Sequence, residues 1–214
     1  IDVDFAKKKG IEIILSPEGS RDAVGEHTMG LLLSLLNNLP KGDREIRAGE
    51  WIREPNRGVE IKGKTVGIIG FGHIGKEIAK KLKGFDVKIL YHDPKVKIKS
   101  FAKTNIKTLF KKSNIIIIAC DLNKKNNGFI NRSLLKYSIL KPYLINITRG
   151  MLVIEKDIAK YIQIKKISGY ATDVFEQEPI LKNNPLLKYK NKTLFTNHTA
   201  SISYEAVENI NREI

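Results

Sequence analysis

The chain has 214 residues, 42% hydrophobic and 29% charged, with 38 Lys and Arg against 23 Asp and Glu and a formal net charge of +15. That apolar content is too high for a disordered chain, and the most apolar stretches, 29–36 and 115–120, fall short of the roughly 18 residues a membrane-spanning helix needs, so a cytoplasmic globular protein without membrane association is expected. The lysines are spread along the chain in pairs and triples without interleaved aromatics, which argues against a nucleic-acid surface despite the charge and leaves a mild attraction for small anions.

Residues 11–15 form a short β-branched run that predicts a strand, followed by a turn at Ser16, Pro17, Glu18 and Gly19. The segment 22–39 has the length and composition of a helix and is apolar around most of its circumference between Leu31 and Leu36; Pro40 and Gly42 are expected to end it. One small domain should not cover so apolar a helix, so a homodimer through 22–39 is expected. After a polar stretch through Gly58, strands are predicted at 65–69, 87–91, 115–119, 144–147, 167–171 and 193–196. Helices are predicted at 73–83, 106–112, 132–140, 156–163 and 205–214. Short apolar strands alternating with helices point to an α/β fold, a doubly wound parallel sheet of Rossmann type covered by helices on both faces. The single cysteine, Cys120, can form neither an internal disulfide nor a thiolate cluster, and no metal is expected. Ile1 is not an initiator methionine and no basic-then-apolar leader precedes it, so the N-terminus reads as a cut end without a secretory signal.

The first motif with chemistry is Gly70-Phe71-Gly72-His73-Ile74-Gly75, a GxGxxG that follows a predicted strand and opens a predicted helix. Gly70 permits the tight turn, Gly72 lets backbone approach a pyrophosphate, and Gly75 lets the helix sit close on the strand. The phosphates then meet a helix N-terminus, where free N–H groups and the macrodipole favour anions. Asp93 comes 18 residues after Gly75 at the end of the second strand, where a carboxylate accepts hydrogen bonds from the ribose hydroxyls of NAD and repels the 2′-phosphate of NADP. Its alternative is a turn residue before Pro94.

Three more strand ends carry polar clusters: Asn146-Ile147-Thr148-Arg149-Gly150, Asp173-Val174-Phe175-Glu176-Gln177-Glu178-Pro179, and Thr196-Asn197-His198-Thr199-Ala200-Ser201. Ligands in open α/β sheets bind beyond the carboxyl ends of the strands, so Arg149, Glu178 and His198 should converge on one crevice with the cofactor. Taken singly they read equally as a surface cation, one of several loop acids and a core histidine. Their convergence beside a dinucleotide fingerprint favours function. An Arg fork matches a carboxylate, and a histidine can exchange a proton with a bound ligand.

Over almost its whole length the chain resembles the D-isomer-specific 2-hydroxyacid dehydrogenases, from Ala23-Val24-Gly25-Glu26-His27 through Gly49-Glu50-Trp51 and the 63–75 glycine segment to Asp173-Val174-Phe175 and His198. The look is closest to D-3-phosphoglycerate dehydrogenase-like members. The resemblance implies hydride transfer between NAD and a small anionic D-2-hydroxy or 2-keto acid, with D-3-phosphoglycerate as the expected substrate. Arg149 would hold the substrate carboxylate, His198 would be the acid/base and Glu178 its partner. Gly70, Gly72, His73, Ile74, Gly75, Asp93, Thr148 and Asp173 would line the cofactor, Asp173 at its nicotinamide end. Formate-oxidising members carry Gln where this chain has Glu178. The chain departs from the family at Ala119 and Asp121, where His and Pro are usual, at Ile154, where an Asp often begins the next helix, and at Asn197, where Pro usually precedes the histidine. By the same resemblance, 1–21 is the tail of a flavodoxin-like substrate domain, 22–201 the NAD-binding domain and 202–214 the return. The alternative within the family is an NAD-binding, redox-sensing interaction module of the corepressor kind.

Overall fold

The structure, a computed structural model, describes residues 2–16 and 18–213. Seven strands, β1 (Thr65–Ile69), β2 (Lys88–His92), β3 (Ala102–Lys103), β4 (Ile115–Ile118), β5 (Tyr143–Asn146), β6 (Gly169–Thr172) and β7 (Thr193–Phe195), form one sheet in the order β3-β2-β1-β4-β5-β6-β7. Every pairing is parallel. β4 shows why: its four isoleucines are all buried, with Ile115 and Ile117 in one core and Ile116 and Ile118 in the other. A strand apolar on both faces must be covered on both, and each buried isoleucine stabilises the fold by about 1.5–3 kcal/mol.

The first core lies under α2 (Arg21–Leu36) and α4 (His73–Leu82), which contribute Leu32, Leu36, Ile78 and Leu82. The second lies under α5 (Ile106–Lys112), α6 (Arg132–Leu135) and α7 (Glu155–Gln163), through Leu109, Phe110, Leu135 and Ile158. The remaining helices are α1 (Val3–Lys8), α3 (Leu39–Arg47) and α8 (Tyr204–Glu213). Among the described residues, no helix is long and apolar enough to cross a membrane.

Several sequence expectations need correction. Residues 11–15 are not a strand: Ile11, Ile14 and Leu15 have no neighbouring strand to pair with and are largely exposed. In the expected turn that follows, Pro17 lies outside the described residues, while 18–20 do turn. The 22–39 helix stops at Leu36, and Pro40 starts a helix rather than ending one. Asn38 takes a left-handed φ of 55°, which breaks the helix, and Pro40 sits in the first turn of α3, where its missing N–H costs nothing. The 132–140 helix is a single turn, α6, and the two-residue β3 has too little apolar signal to read from sequence.

The premise that one domain cannot cover α2 also fails. Val24, Met29, Leu31, Leu32, Leu35 and Leu36 are buried within the chain, and the buried Thr28 hydroxyl donates to Val24 O at 2.7 Å. The uncovered apolar surface comes just after it, at Leu39, Ile46 and Trp51, the last 81% exposed.

Candidate active site

The chain leaves β1 for one side of the sheet and returns at β4 for the other, so their carboxyl ends open the crevice where such sheets bind ligands. Gly70 exits β1 at φ +88°, and a Cβ there would lie 2.6 Å from Ala119 O and from the Cys120 backbone, so the turn accepts only glycine. A Cβ on Gly75 would overlap the carbonyl of Gly70; its absence lets α4 close on β1. Gly72 is different. It caps α4 without a side-chain acceptor, and a Cβ there would meet nothing within 4 Å, so the first-turn N–H groups border open space. A pyrophosphate fits this cradle. His73 stands half-exposed at the helix start with Nδ1 3.2 Å from Glu18 Oε1, and Ile74 lines the crevice.

Asp93 follows β2 as expected, and its carboxylate already has work in the turn. Oδ2 accepts the Phe71 N–H, and Oδ1 accepts those of Lys95 and Val96, each at 2.8 Å. Burial works against its charge, but the three N–H bonds outweigh it and hold the carboxyl below its ordinary value. Turn residue and ribose acceptor are therefore compatible roles: the Phe71 bond ties the glycine turn to β2, and a singly bonded Oδ2 keeps a lone pair for a hydroxyl.

At the other end, Ile74, Thr148, Arg149, Asp173 and His198 line one cavity of about 780 Å³ with Asp121, Leu122 and Ala200. His198 sits in a left-handed turn, φ 58°, after β7, with Nδ1 2.7 Å from Glu178 Oε2. An ionised carboxylate only accepts, so Nδ1 carries a proton and Nε2 is the ring nitrogen that Glu178 does not engage. Burial opposes the charge on Glu178, yet the His198 bond and the Phe175 N–H at 2.9 Å together lower its carboxyl below the usual value. Arg149 is exposed, and its Nη1 donates to Thr148 O at 2.7 Å. Asp173, 1% exposed, accepts the Thr196 hydroxyl at 2.6 Å and the Thr199 and Ala200 N–H groups, all from the His198 turn. A second, apolar cavity of about 750 Å³, lined by Phe175, Pro179, Leu187 and Phe195, flanks the Glu178–His198 pair.

Sequence reasoning gave no role to four residues that shape this end. Asn146 is fully buried and braces the Arg149 turn, its Nδ2 donating to Arg149 O at 3.0 Å and its Oδ1 accepting the Thr148 N–H at 3.3 Å. Gly150 runs so close to the Phe175 backbone that a Cβ would overlap it. Thr196 and His27 lie behind Asp173, with His27 Nε2 3.0 Å from Thr196 Oγ1. A buried Asn ending an apolar strand was a usable signal; the pairing of His27 with a residue 169 positions away was not. Cys120, at the end of β4, has its thiol pushed up to about 11 by burial and stays protonated at neutral pH.

Residues 29–200 match the family described as D-isomer specific 2-hydroxyacid dehydrogenase, NAD binding domain. The chain is 39% identical over 216 residues to a glyoxylate reductase of Thermofilum pendens, covering 96% of this chain and 63% of the relative. It is 32% identical over 215 residues to a D-3-phosphoglycerate dehydrogenase of Archaeoglobus fulgidus, covering 98% and 41%. It therefore spans less than two thirds of the length of these curated relatives. Its fold matches the crystal structure of D-lactate dehydrogenase from Aquifex aeolicus complexed with NAD and lactic acid at a TM-score of 0.89 and 27% identity, covering 100% of this chain and 70% of that one. The chain belongs to the D-isomer-specific 2-hydroxyacid dehydrogenase family, and residues 29–200 are its NAD-binding domain.

Proposed function

We propose that the protein carrying this chain moves a hydride between NAD and a D-2-hydroxy acid or its 2-keto acid. The observation that carries this reading is the Glu178–His198 pair, whose histidine lines the same cavity as Arg149 and Ile74. Bound NAD supplies the hydride acceptor. Gly70, Gly72, Gly75, His73 and Ile74 seat its pyrophosphate end, Asp93 receives the ribose hydroxyls, and Thr148 and Asp173 border the nicotinamide end. Arg149 must leave its bond to Thr148 O and turn its fork to the substrate carboxylate. His198 Nε2 takes the hydroxyl proton as C2 loses its hydride, and Nδ1 stays bonded to Glu178 throughout. In the reverse direction the imidazolium returns that proton to the keto oxygen. The acidic Asp93 favours NAD over NADP.

The finer choice of substrate is D-3-phosphoglycerate, supported by the likeness to the Archaeoglobus fulgidus enzyme and rivalled by the nearer likeness to a glyoxylate reductase. Comparing kcat/KM for 3-phosphoglycerate, in the oxidative direction, with that for glyoxylate reduction on the full-length protein decides between them. In either case Arg149→Lys keeps the charge and loses the fork, so KM for the acid should rise at least about tenfold with NAD affinity unchanged. An unchanged KM would remove Arg149 from the site.

The flanking segments 1–21 and 202–214 belong, in this reading, to a flavodoxin-like substrate domain, with 22–201 as the cofactor domain. Assembly is as a homodimer through the stretch after α2 rather than through the 22–39 helix itself, whose apolar residues are covered within the chain; the uncovered Leu39, Ile46 and Trp51 support this. Sedimentation at micromolar concentration should give a dimer, and Trp51→Asp should give a monomer; a wild-type monomer rejects this assembly.

A further inference from the structure

His198 occupies a left-handed turn, a conformation uncommon for any residue but glycine, and local hydrogen bonds hold it there. The bonds that do so converge on Asp173. Its Oδ1 accepts the Thr196 hydroxyl at 2.6 Å and the Thr199 N–H at 3.0 Å, its Oδ2 accepts the Ala200 N–H at 2.9 Å, and its backbone carbonyl accepts the His198 N–H at 2.9 Å. Behind this knot stands His27, from the middle of α2. Its side chain is 23% exposed, and Nε2 lies 3.0 Å from Thr196 Oγ1 and 3.5 Å from Asp173 Oδ1. Hydrogen-bond chemistry sets the direction. The Thr196 hydroxyl gives its one hydrogen to the carboxylate, so it can only accept from His27, and His27 Nε2 must carry a proton.

We propose that His27 is a positioning residue for His198, acting through Thr196 and Asp173; its bearing on turnover rests on the function proposed above. Among the described residues, His27 makes no hydrogen bond to Glu178 or His198 and is not among the residues lining the cavity that Arg149 lines, so its action is geometric. By fixing the Thr196 hydroxyl, it fixes the rotamer through which Asp173 gathers the 196–200 turn. A volume-filling core histidine would need only its ring in place, whereas this role needs the Nε2–H. A turn that loosens by an ångström misplaces the exchanging nitrogen, which can cost on the order of a hundredfold in rate.

Substitutions in the full-length protein separate a donor from a space-filler. His27→Phe keeps the volume and loses the donor; His27→Gln keeps a donor; Thr196→Val removes the hydroxyl without touching α2. His27→Phe and Thr196→Val should each lower kcat by about tenfold or more while KM for the hydroxy acid and NAD affinity stay within about twofold, and His27→Gln should restore most of the loss. Exchange of the Thr199 and Ala200 amides, followed by NMR, should speed up in His27→Phe and Thr196→Val and return toward wild type in His27→Gln. Equal behaviour of His27→Phe and His27→Gln, or unchanged exchange at both amides in Thr196→Val, overturns the proposal. The exchange measurement decides it alone if the wild-type protein shows no turnover, a result that would instead reject the dehydrogenase reading.

Discussion

The two ends of the crevice are fixed by different means. At the β1–α4 end the backbone does most of the shaping: Gly70 turns hard against the Ala119–Cys120 backbone, Gly75 lies on the Gly70 carbonyl, and the Asp93 carboxylate ties the turn to β2. At the β5–β7 end side chains do most of it, beside the close backbone approach of Gly150 to Phe175. Asn146 braces the Arg149 turn and Asp173 gathers the His198 turn, while Glu178 orients the imidazole. A backbone-built site tolerates few residue types at its glycines and most elsewhere. A site built from side chains can be loosened one hydrogen bond at a time, each worth about 0.5–3 kcal/mol depending on burial and charge.

Breaking the backbone-built end should have the largest effect. Gly70→Val puts a β-branched residue at φ +88° against backbone atoms 2.6 Å away. We expect a loss of about 3 kcal/mol or more by urea unfolding and no NAD binding detectable by calorimetry. Near wild-type NAD affinity in this variant would mean that the turn does not set the cradle.

The difference between the two ends also explains what was legible in the sequence. Glycine spacing after an apolar strand announced the cradle because those residues serve by what they lack, and a missing Cβ needs no partner to be read. The four isoleucines of β4 announced a strand buried on both faces for the same local reason. Position in the chain marked Arg149, Glu178 and His198 as polar residues after three separate strands, and only the family resemblance paired Glu178 with His198; their bond at 2.7 Å comes from the parallel order β5-β6-β7, a long-range fact. The 11–15 segment misled because β propensity states a preference and supplies no neighbour, and Pro40 misled because proline both ends helices and begins them. Asp93 was posed as turn residue or ribose acceptor, a choice its three N–H bonds make unnecessary.

A smaller effect sharpens the contrast through pH. Asp93, at the cradle, has a folded carboxyl below its ordinary value, so its stabilisation is complete above about pH 4 and is lost as pH falls through the folded value. Glu155, which accepts the Glu176 N–H at 3.0 Å and the Asn184 amide at 2.6 Å beside the loop that carries Glu178, is raised by burial, which outweighs those bonds. The folded state then holds the Glu155 proton more tightly than the unfolded chain does, so stability falls as pH rises from about 4.3 through the raised value. Urea midpoints should therefore move in opposite senses. The deficit of Asp93→Asn against wild type should shrink in acid, while Glu155→Gln should gain on wild type between about pH 4 and about pH 7. Parallel profiles would remove the electrostatic distinction between the two ends.

In the function proposed above, the side-chain-built end performs proton transfer while the backbone-built end holds the cofactor independently of it. The most direct measurement is steady-state turnover of full-length His198→Ala with calorimetric NAD affinity on the same preparation. Loss of a positioned acid/base should lower kcat by roughly 10²–10⁴-fold and leave the Kd for NAD within about twofold of wild type. Wild-type turnover of His198→Ala across about pH 6 to about pH 9 would contradict the account.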